Sequence, residues 1–318
     1  MRVIVTGGAG FIGSHLVDAL MNYVDEVIVV DNLSRGELEN ISKWMKNQRF
    51  KFVKGDVTDL ELMSKIVKDC DAVFHLAANP EVRMIDPYIH FKNNVYATYA
   101  VLEAMRVNNV TKIVFTSSST VYGEAKIFPT PEDYSPLMPI SIYGACKLAS
   151  ESLIIGYSNT YGFSSVILRL ANIVGSRSRH GVIVDFLRKL LEDPTRLEIL
   201  GDGEQTKSYL HIKDCIDAMI KSFENIGDNI QIYNVGSEDA INVKTIARIV
   251  IEELNLENVR IEYRNELHGR GWIGDVRRML LDISRLRSIG WKPRYNSSDA
   301  VRLAVKELKE EIRSVSRD

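Results

Sequence analysis

A short apolar run at the start of the chain, Arg2-Val3-Ile4-Val5, breaks at once into Thr6-Gly7-Gly8-Ala9-Gly10-Phe11-Ile12-Gly13 and resumes as an amphipathic stretch to about Met21. Glycines this dense between a strand and a helix serve one arrangement well. Lacking Cβ atoms, they let the backbone turn tightly and lie against an anion held at the helix N-terminus. A dinucleotide, with two phosphates, is the expected occupant. The next apolar run, Glu26 to Val30, ends in Asp31, roughly 20 residues past the turn, where a carboxylate accepts from an adenosine ribose 2′-hydroxyl and repels a 2′-phosphate. The expected cofactor is therefore NAD in preference to NADP, with Arg35 nearby as the residue that could accommodate the extra phosphate.

The alternation continues. Phe50 to Val53 leads to Gly55-Asp56-Val57, Leu60 to Lys68 has helical spacing, and Asp71 to Leu76 is a further strand ending at Ala77-Ala78. Asp86 to Val107 contains a long helical pattern whose start carries Asn93 and Asn94, and Lys112 to Thr116 is the next buried run. Repeated strand–helix–strand units predict an α/β protein with a Rossmann-type, doubly wound parallel sheet and right-handed crossovers. The chain of 318 residues also has room for a smaller C-terminal α/β substrate lobe. A basic loop, Gly175-Ser176-Arg177-Ser178-Arg179-His180-Gly181, marks where that lobe begins, and Ile230 to Val235 reads as a strand returning to the main sheet. The expected division is 1–172 with about 208–237 for the NAD domain, and about 173–207 with 238–318 for the substrate lobe. Gly201-Asp202-Gly203 is a hairpin signal.

A net charge of −2 from 40 basic and 42 acidic residues gives no reason to expect nucleic acid or an anionic membrane as partner. No apolar run approaches the roughly 20 residues that span a bilayer. Three scattered cysteines, Cys70, Cys146 and Cys215, read as small buried hydrophobes in a reducing compartment, so a cytoplasmic protein is expected. His75, inside an apolar run, reads as a core histidine; no second ligand stands at metal-binding spacing from it, and no metal is expected.

The chemistry concentrates after the strand at Lys112 to Thr116. Ser117-Ser118-Ser119-Thr120 follows it directly, placing Ser118 at the carboxyl end of a strand, where open α/β sheets put their ligands. A proline-dense segment from Ile127 to Pro139 is expected as an irregular loop over the site. Beyond it, Tyr143 and Lys147 are four residues apart and project from one helix face.

Together these motifs resemble the extended short-chain dehydrogenase/reductase family, and within it the UDP-glucose (UDP-galactose) 4-epimerases and close nucleotide-sugar epimerases. The resemblance rests on Thr6 to His15, Asp31 to Ser34, Gly55 to Val57, His75 to Ala78, Asn94-Val95, Ser118 to Gly123, Tyr143 to Lys147 and Gly274 to Val276. It implies a tightly held, recycled NAD. Gly7, Gly10, Phe11 and Ile12 would line the pyrophosphate, and Asp31, Asn32, Ser34 and Gly36 the adenosine ribose. Asp56 and Val57 would meet the adenine, Leu76, Ala77 and Ala78 the nicotinamide side, and Asn94, Thr116, Tyr143 and Lys147 the nicotinamide ribose region. For a UDP-sugar substrate it implies Ser118, Ser119, Thr120 and Tyr143 at the sugar, Asn172, Lys207, Arg270 and Asp275 around the diphosphate, and Val182 on the helix that packs on the uracil. A homodimer through the helices within Asn94 to Val107 and Ile142 to Asn159 is implied as well.

Oxidising a sugar C4 alcohol requires a base beside the nicotinamide, and a free phenol, pKa about 10, is a poor one. Tyr143 is the expected base, Lys147 and the nicotinamide charge the groups that lower its pKa, and Ser118 the partner that relays the proton. Two positions depart from the family. Lys207 and Trp272 stand where arginines are common, with Arg270 the nearest replacement for the second. The expected reaction is 4-epimerisation of a UDP-sugar, galactose to glucose and N-acetylated forms, through a 4-keto intermediate. The alternatives are a nucleotide-sugar 4,6-dehydratase or decarboxylase, and a non-catalytic NAD-binding sensor. Dehydratases of the family carry Asp-Glu after the threonine of the serine–threonine turn, whereas Val121 follows Thr120 here.

Overall fold

The computed structural model describes residues 1–83 and 86–315. Its first elements alternate: β1 (Arg2–Thr6), α1 (Phe11–Leu20), β2 (Glu26–Asp31), β3 (Phe50–Lys54), α2 (Leu60–Val67) and β4 (Ala72–His75). They continue with α3 (Ala97–Val107), β5 (Lys112–Ser118), α4 (Ile142–Tyr161) and β6 (Ser164–Leu170). These strands and Ile230–Val235 form a seven-stranded sheet in which β3, β2, β1, β4, β5, β6 and Ile230–Val235 are successive neighbours. β1 runs parallel to both β2 and β4, with Val5 opposite Val29 on one side and Phe74 on the other. Strand order therefore reverses at β1, and a crevice opens at the carboxyl ends of β1 and β4. The expected Rossmann-type sheet is present.

The central stretches of the strands are apolar because the sheet is covered on both faces, whereas the edge strand β3 exposes Lys51 and Lys54. Ile4, Val73, Ile113, Phe115 and Ile167 pack on one face against Met63 of α2, Val101 and Met105 of α3, and Ile154 of α4. On the other face Phe74 meets Phe223 at 4.9 Å between ring centroids. Each such side chain contributes roughly 1.5–3 kcal/mol on burial.

One local expectation is refined and another corrected. The helical pattern within Asp86 to Val107 is present but not uniform: Pro87–His90 is α-helical, Phe91–Tyr96 is a π-helical turn, and α3 follows. Within the wide turn the Asn94 carbonyl accepts hydroxyl hydrogen bonds from Thr98 at 2.6 Å and Ser150 at 3.1 Å, competing with the regular ladder. Gly201-Asp202-Gly203 is not a hairpin. The strand before it, Arg196–Leu200, pairs in parallel with Arg260–Arg264, and the strand after it, Thr206–Lys207, pairs with Ile241–Asn242 and Arg278–Met279. Leu197 and Ile199, both fully buried, secure the first strand in its own core, so the glycines turn a corner between two sheets.

By contacts the chain forms two compact units, Met1–Val121 with Ile142–Arg169 and Met219–Tyr233, and Tyr122–Ser141 with Leu170–Ala218 and Asn234–Asp318. In the second unit, helices Val182–Glu192, Val243–Leu254 and Ser297–Val315 pack Phe186, Leu190, Ile246 and Val305 around Leu197 and Ile199. The proline-dense segment is irregular and belongs to this unit. Fully buried Asn234 holds it, accepting from the Tyr122 hydroxyl at 2.7 Å, donating from Nδ2 to the Thr130 carbonyl at 2.9 Å, and donating from its N–H to Glu132 at 2.9 Å. Among the described residues no helix is long and apolar enough to cross a membrane.

Candidate active site

The glycine turn is a cradle with no space for side chains. Gly7 follows β1 at φ +70°, and a Cβ there would lie 2.8 Å from the Ala77 nitrogen in the loop after β4. A Cβ on Gly13 would lie 2.1 Å from the Gly7 carbonyl oxygen. The first turn of α1 is thereby pressed onto the β1 loop. The helix begins at Phe11 after an extended Gly10, with no side chain capping it, so the amides of Phe11 and Ile12 are among those with no partner inside the helix. A dinucleotide pyrophosphate fits this cradle.

Asp31 closes β2 only 7% exposed. One carboxylate oxygen accepts from the Ala9 N–H at 3.0 Å and the other from the Leu33 N–H at 2.8 Å, so the side chain pins the glycine turn to the end of β2. A Cβ on Gly36 would come within 2.8 Å of the carboxylate. Burial raises the Asp31 pKa above the ordinary carboxylate value, against the pull of the two N–H groups. Each oxygen still has a lone pair for a ribose hydroxyl. Alongside, Asn32 donates to Asp56 at 3.1 Å and its own Oδ1 accepts from the Ser34 N–H at 2.9 Å. Burial opposes ionisation of Asp56, yet hydrogen bonds from Thr58 and Asn32 and the charge of Lys92 hold its pKa below the usual value. Val57 beside it is buried. Asp31, Asn32, Ser34, Gly36, Asp56 and Val57 thus gather at the adjoining ends of β2 and β3.

The chemical residues meet at the ends of β4 and β5. The N–H groups of Leu76 and Ala77 both donate to the Thr6 hydroxyl at 3.2 Å, fixing the Leu76-Ala77-Ala78 loop to β1. His75 is fully buried with Nδ1 at 2.8 Å from the Thr6 hydroxyl and Nε2 at 3.1 Å from the Thr98 hydroxyl, a core histidine as expected. Burial, then the charge of Lys147, pulls its pKa down to about 3. Ser118 accepts from the Thr120 N–H at 3.2 Å and hydroxyl at 2.9 Å, and hydrogen-bonds the Tyr143 phenol. Lys147, 3% exposed, donates to the Thr116 carbonyl at 2.8 Å and lies 4.7 Å from the Phe115 ring centroid. Asn94 is held by Asn79, whose N–H donates to its Oδ1 at 2.8 Å.

Burial governs the electrostatics of this pair in the cofactor-free chain. Burial pushes the Tyr143 phenol up to about 12, with the Ser118 hydrogen bond opposing, and pushes the Lys147 ammonium down to about 7. The chain alone does not lower the phenol pKa, because Lys147 spends its nearest hydrogen bond on Thr116 and the surroundings of buried Lys147 and half-buried Tyr143 disfavour both charged forms.

In the second unit, Lys207 pairs with buried Asp275 at 2.6 Å and lies 5.2 Å from the Trp272 ring centroid, so the two residues that depart from the family pattern touch each other. Arg270 donates to the Asp275 carbonyl and pairs with Glu124 at 2.6 Å. Asn172 opens the strand Asn172–Val174 and its Nδ2 is buried with no hydrogen-bond partner, an atom suited to an anionic oxygen. Val182 begins the helix Val182–Glu192 after Gly181 at φ +100°. Lys207, Arg270 and Asp275 therefore form one cluster, while Asn172 and Val182 stand on elements of their own.

Two residues of the first unit escape the sequence reading. Glu151, one turn beyond Lys147 on α4, is paired with Arg169 of β6, both nearly fully buried. Two signals pointed to them: the spacing Tyr143, Lys147, Glu151 along one helical stripe, and a lone arginine in the apolar strand Ser164–Leu170.

The family model described as the NAD dependent epimerase/dehydratase family matches residues 3–236. A solved UDP-galactose 4-epimerase is 43% identical over 98% of this chain and 100% of its own, with a TM-score of 0.87. The UDP-glucose 4-epimerase of Mycolicibacterium smegmatis is 34% identical over 95% of this chain and 96% of its own. UDP-glucuronic acid decarboxylase 3 of Arabidopsis thaliana is 32% identical over 97% of this chain and 89% of its own. With the cradle, the buried Asp31 and this match across most of its length, the chain belongs to the NAD dependent epimerase/dehydratase family, and its cofactor is NAD.

Proposed function

We propose that this protein is a UDP-sugar 4-epimerase that interconverts UDP-galactose and UDP-glucose, and accepts N-acetylated forms, through a 4-keto sugar. NAD, when bound, supplies the hydride acceptor and a positive ring charge. Lys147 and the ring charge favour the phenolate of Tyr143, which takes the C4 hydroxyl proton through Ser118 and becomes a neutral phenol as C4 gives up hydride. The keto sugar turns about its diphosphate link, so that C4 would take the hydride back on its other face while Tyr143 returns the proton to the C4 oxygen through Ser118. Asn172, Lys207, Arg270, Asp275 and Val182 hold the nucleotide half, which leaves the sugar free to turn.

The observation that carries this reading is the Ser118–Tyr143 hydrogen bond beside a buried Lys147, in a turn, Ser119-Thr120-Val121, that has no carboxylate. Elimination of water needs an acid and a base there. Similarity to decarboxylases keeps a second reading in the test. The protein is incubated with UDP-galactose, UDP-N-acetylgalactosamine and UDP-glucuronate without added reductant, and products are followed by NMR. A 4-epimer that keeps its water and carboxylate supports epimerisation; pentose formation from UDP-glucuronate favours decarboxylation.

We also infer a homodimer through α3 and α4. Tyr99 and Val107 on α3 and Tyr161 on α4 are 38%, 53% and 50% exposed, an apolar cost that a partner copy would remove. Sedimentation at micromolar concentration should give twice the 36.0 kDa chain mass.

A further inference from the structure

Glu151 continues the stripe of α4 that bears Tyr143 and Lys147. Its carboxylate is 1% exposed and faces the 4%-exposed guanidinium of Arg169, with Nε 3.0 Å from Oε1 and Nη2 2.7 Å from Oε2. Oε1 also accepts from the Ser117 hydroxyl. A buried ion pair loses hydration that its attraction only partly offsets, so stability alone does not account for it. Ser117 suggests another role. It stands between Thr116, whose carbonyl accepts from Lys147, and Ser118, whose hydroxyl bonds Tyr143. Successive side chains of a strand point to opposite faces, so anchoring Ser117 from the helix side sets the orientation of both neighbours.

We propose that Glu151 is the positioning residue of this site: braced by Arg169, it locks Ser117 and thereby the Thr116 carbonyl and Ser118 hydroxyl, and its carboxylate sustains the charge of Lys147. The proposal rests on the reading of Tyr143 and Lys147 given above.

The groups facing Lys147 are Tyr143, Cys146 and Glu151 from its own helix, His75 from β4, and the Phe115 ring and Thr116 carbonyl from β5. Burial lowers the Lys147 pKa, and Glu151, then Cys146, work against it. His75 is neutral above its pKa of about 3 and adds no charge. Without the carboxylate, Lys147 loses its proton at lower pH.

Two variants test this. Glu151→Gln/Arg169→Gln removes the carboxylate without stranding a buried charge, and Ser117→Ala cuts the link while keeping the ion pair. NMR of 13C-labelled lysine, with Lys147→Met for assignment, reads the Lys147 titration in protein without cofactor; kcat, KM and the pH profile are read in the NAD-loaded enzyme. In the double variant the Lys147 pKa should fall by at least about half a unit, and the alkaline limb of kcat should move the same way. In both variants kcat should drop about 10-fold or more with KM changed less than about 3-fold, as expected for misplaced reacting groups. Wild-type kcat in Ser117→Ala, or an unmoved Lys147 titration in the folded double variant, overturns the proposal. An active Tyr143→Phe enzyme would instead remove the underlying reading, while an inactive one beside unaffected Glu151 variants would remove only the positioning role.

Discussion

The Nζ of Lys147 lies 6.0 Å from the centroid of the Tyr143 ring and gives its hydrogen bond to the Thr116 carbonyl at 2.8 Å. The ammonium therefore acts on the phenol through space, across a buried interval where charges interact strongly. A phenol held at about 12 stays protonated in the cofactor-free chain. Base strength has to be drawn from the field of the loaded site.

Removing the phenolic oxygen should stop the chemistry and spare the cofactor. Tyr143→Phe is expected to lower kcat by at least about 10²-fold, the typical cost of losing a general base. Bound NAD, measured by absorbance after denaturation, should be at the wild-type level. Near-normal turnover would exclude Tyr143 as the base.

Asp31 both pins the glycine turn through Ala9 and offers its oxygens to a ribose. Asp31→Ala should weaken NAD about 10-fold or more, the scale of losing hydrogen bonds to a charged group, and should weaken NADP less. Equilibrium titration with both cofactors checks the ratio, and an unchanged preference would show that Asp31 does not read the ribose.

Lys207 offers one ammonium, shared with Asp275 and the face of Trp272. Lys207→Arg keeps the pair with Asp275 and supplies a planar fork for phosphate. UDP should bind several-fold tighter to this variant by calorimetry, with NAD content unchanged. Equal or weaker UDP binding would place the diphosphate elsewhere.

Acid should destabilise the fold in two stages. His75 titrates near 6.5 when unfolded but at about 3 when folded, because burial and then Lys147 disfavour its cation. The unfolded chain therefore binds the extra proton first, and stability falls as pH drops from 6.5 towards 3. Glu307 adds to this. Burial opposes its ionisation, but His211, Lys213 and the Ser176 N–H hold its pKa at about 2, so its contribution is complete above 4.5 and lost as pH falls towards 2. Urea midpoints across this range should decline from 6.5 downward, and Glu307→Gln should flatten the part below 4.5. A midpoint independent of pH would contradict both assignments.

Much of this architecture is legible in the residues because buried strands announce themselves. Ile4, Val29, Phe74 and Val114 belong to continuous apolar runs, and Gly7, Gly13 and Asp31 occupy places where few other residues fit. Tertiary contacts decided the rest. Asn94 lies in a sequence of helical spacing, yet hydroxyls from Thr98 and Ser150 open a π-helical turn around its carbonyl. Gly201 and Gly203 have hairpin chemistry, but Leu197 and Ile199 bind their strand into a different sheet. Tyr143 and Lys147 stand out by spacing, whereas the protonation state of each depends on burial that spacing does not encode.

The central claim is that hydride leaves C4 of the sugar and returns to the same carbon while Ser118, Tyr143 and Lys147 manage the proton. The most direct measurement uses UDP-galactose deuterated at C4, with the UDP-glucose formed in ordinary water examined by NMR and mass spectrometry. The account predicts UDP-glucose that retains deuterium at C4, with no loss of water or carbon dioxide. Exchange of that deuterium with solvent, or its migration to C6 with loss of water, would contradict it.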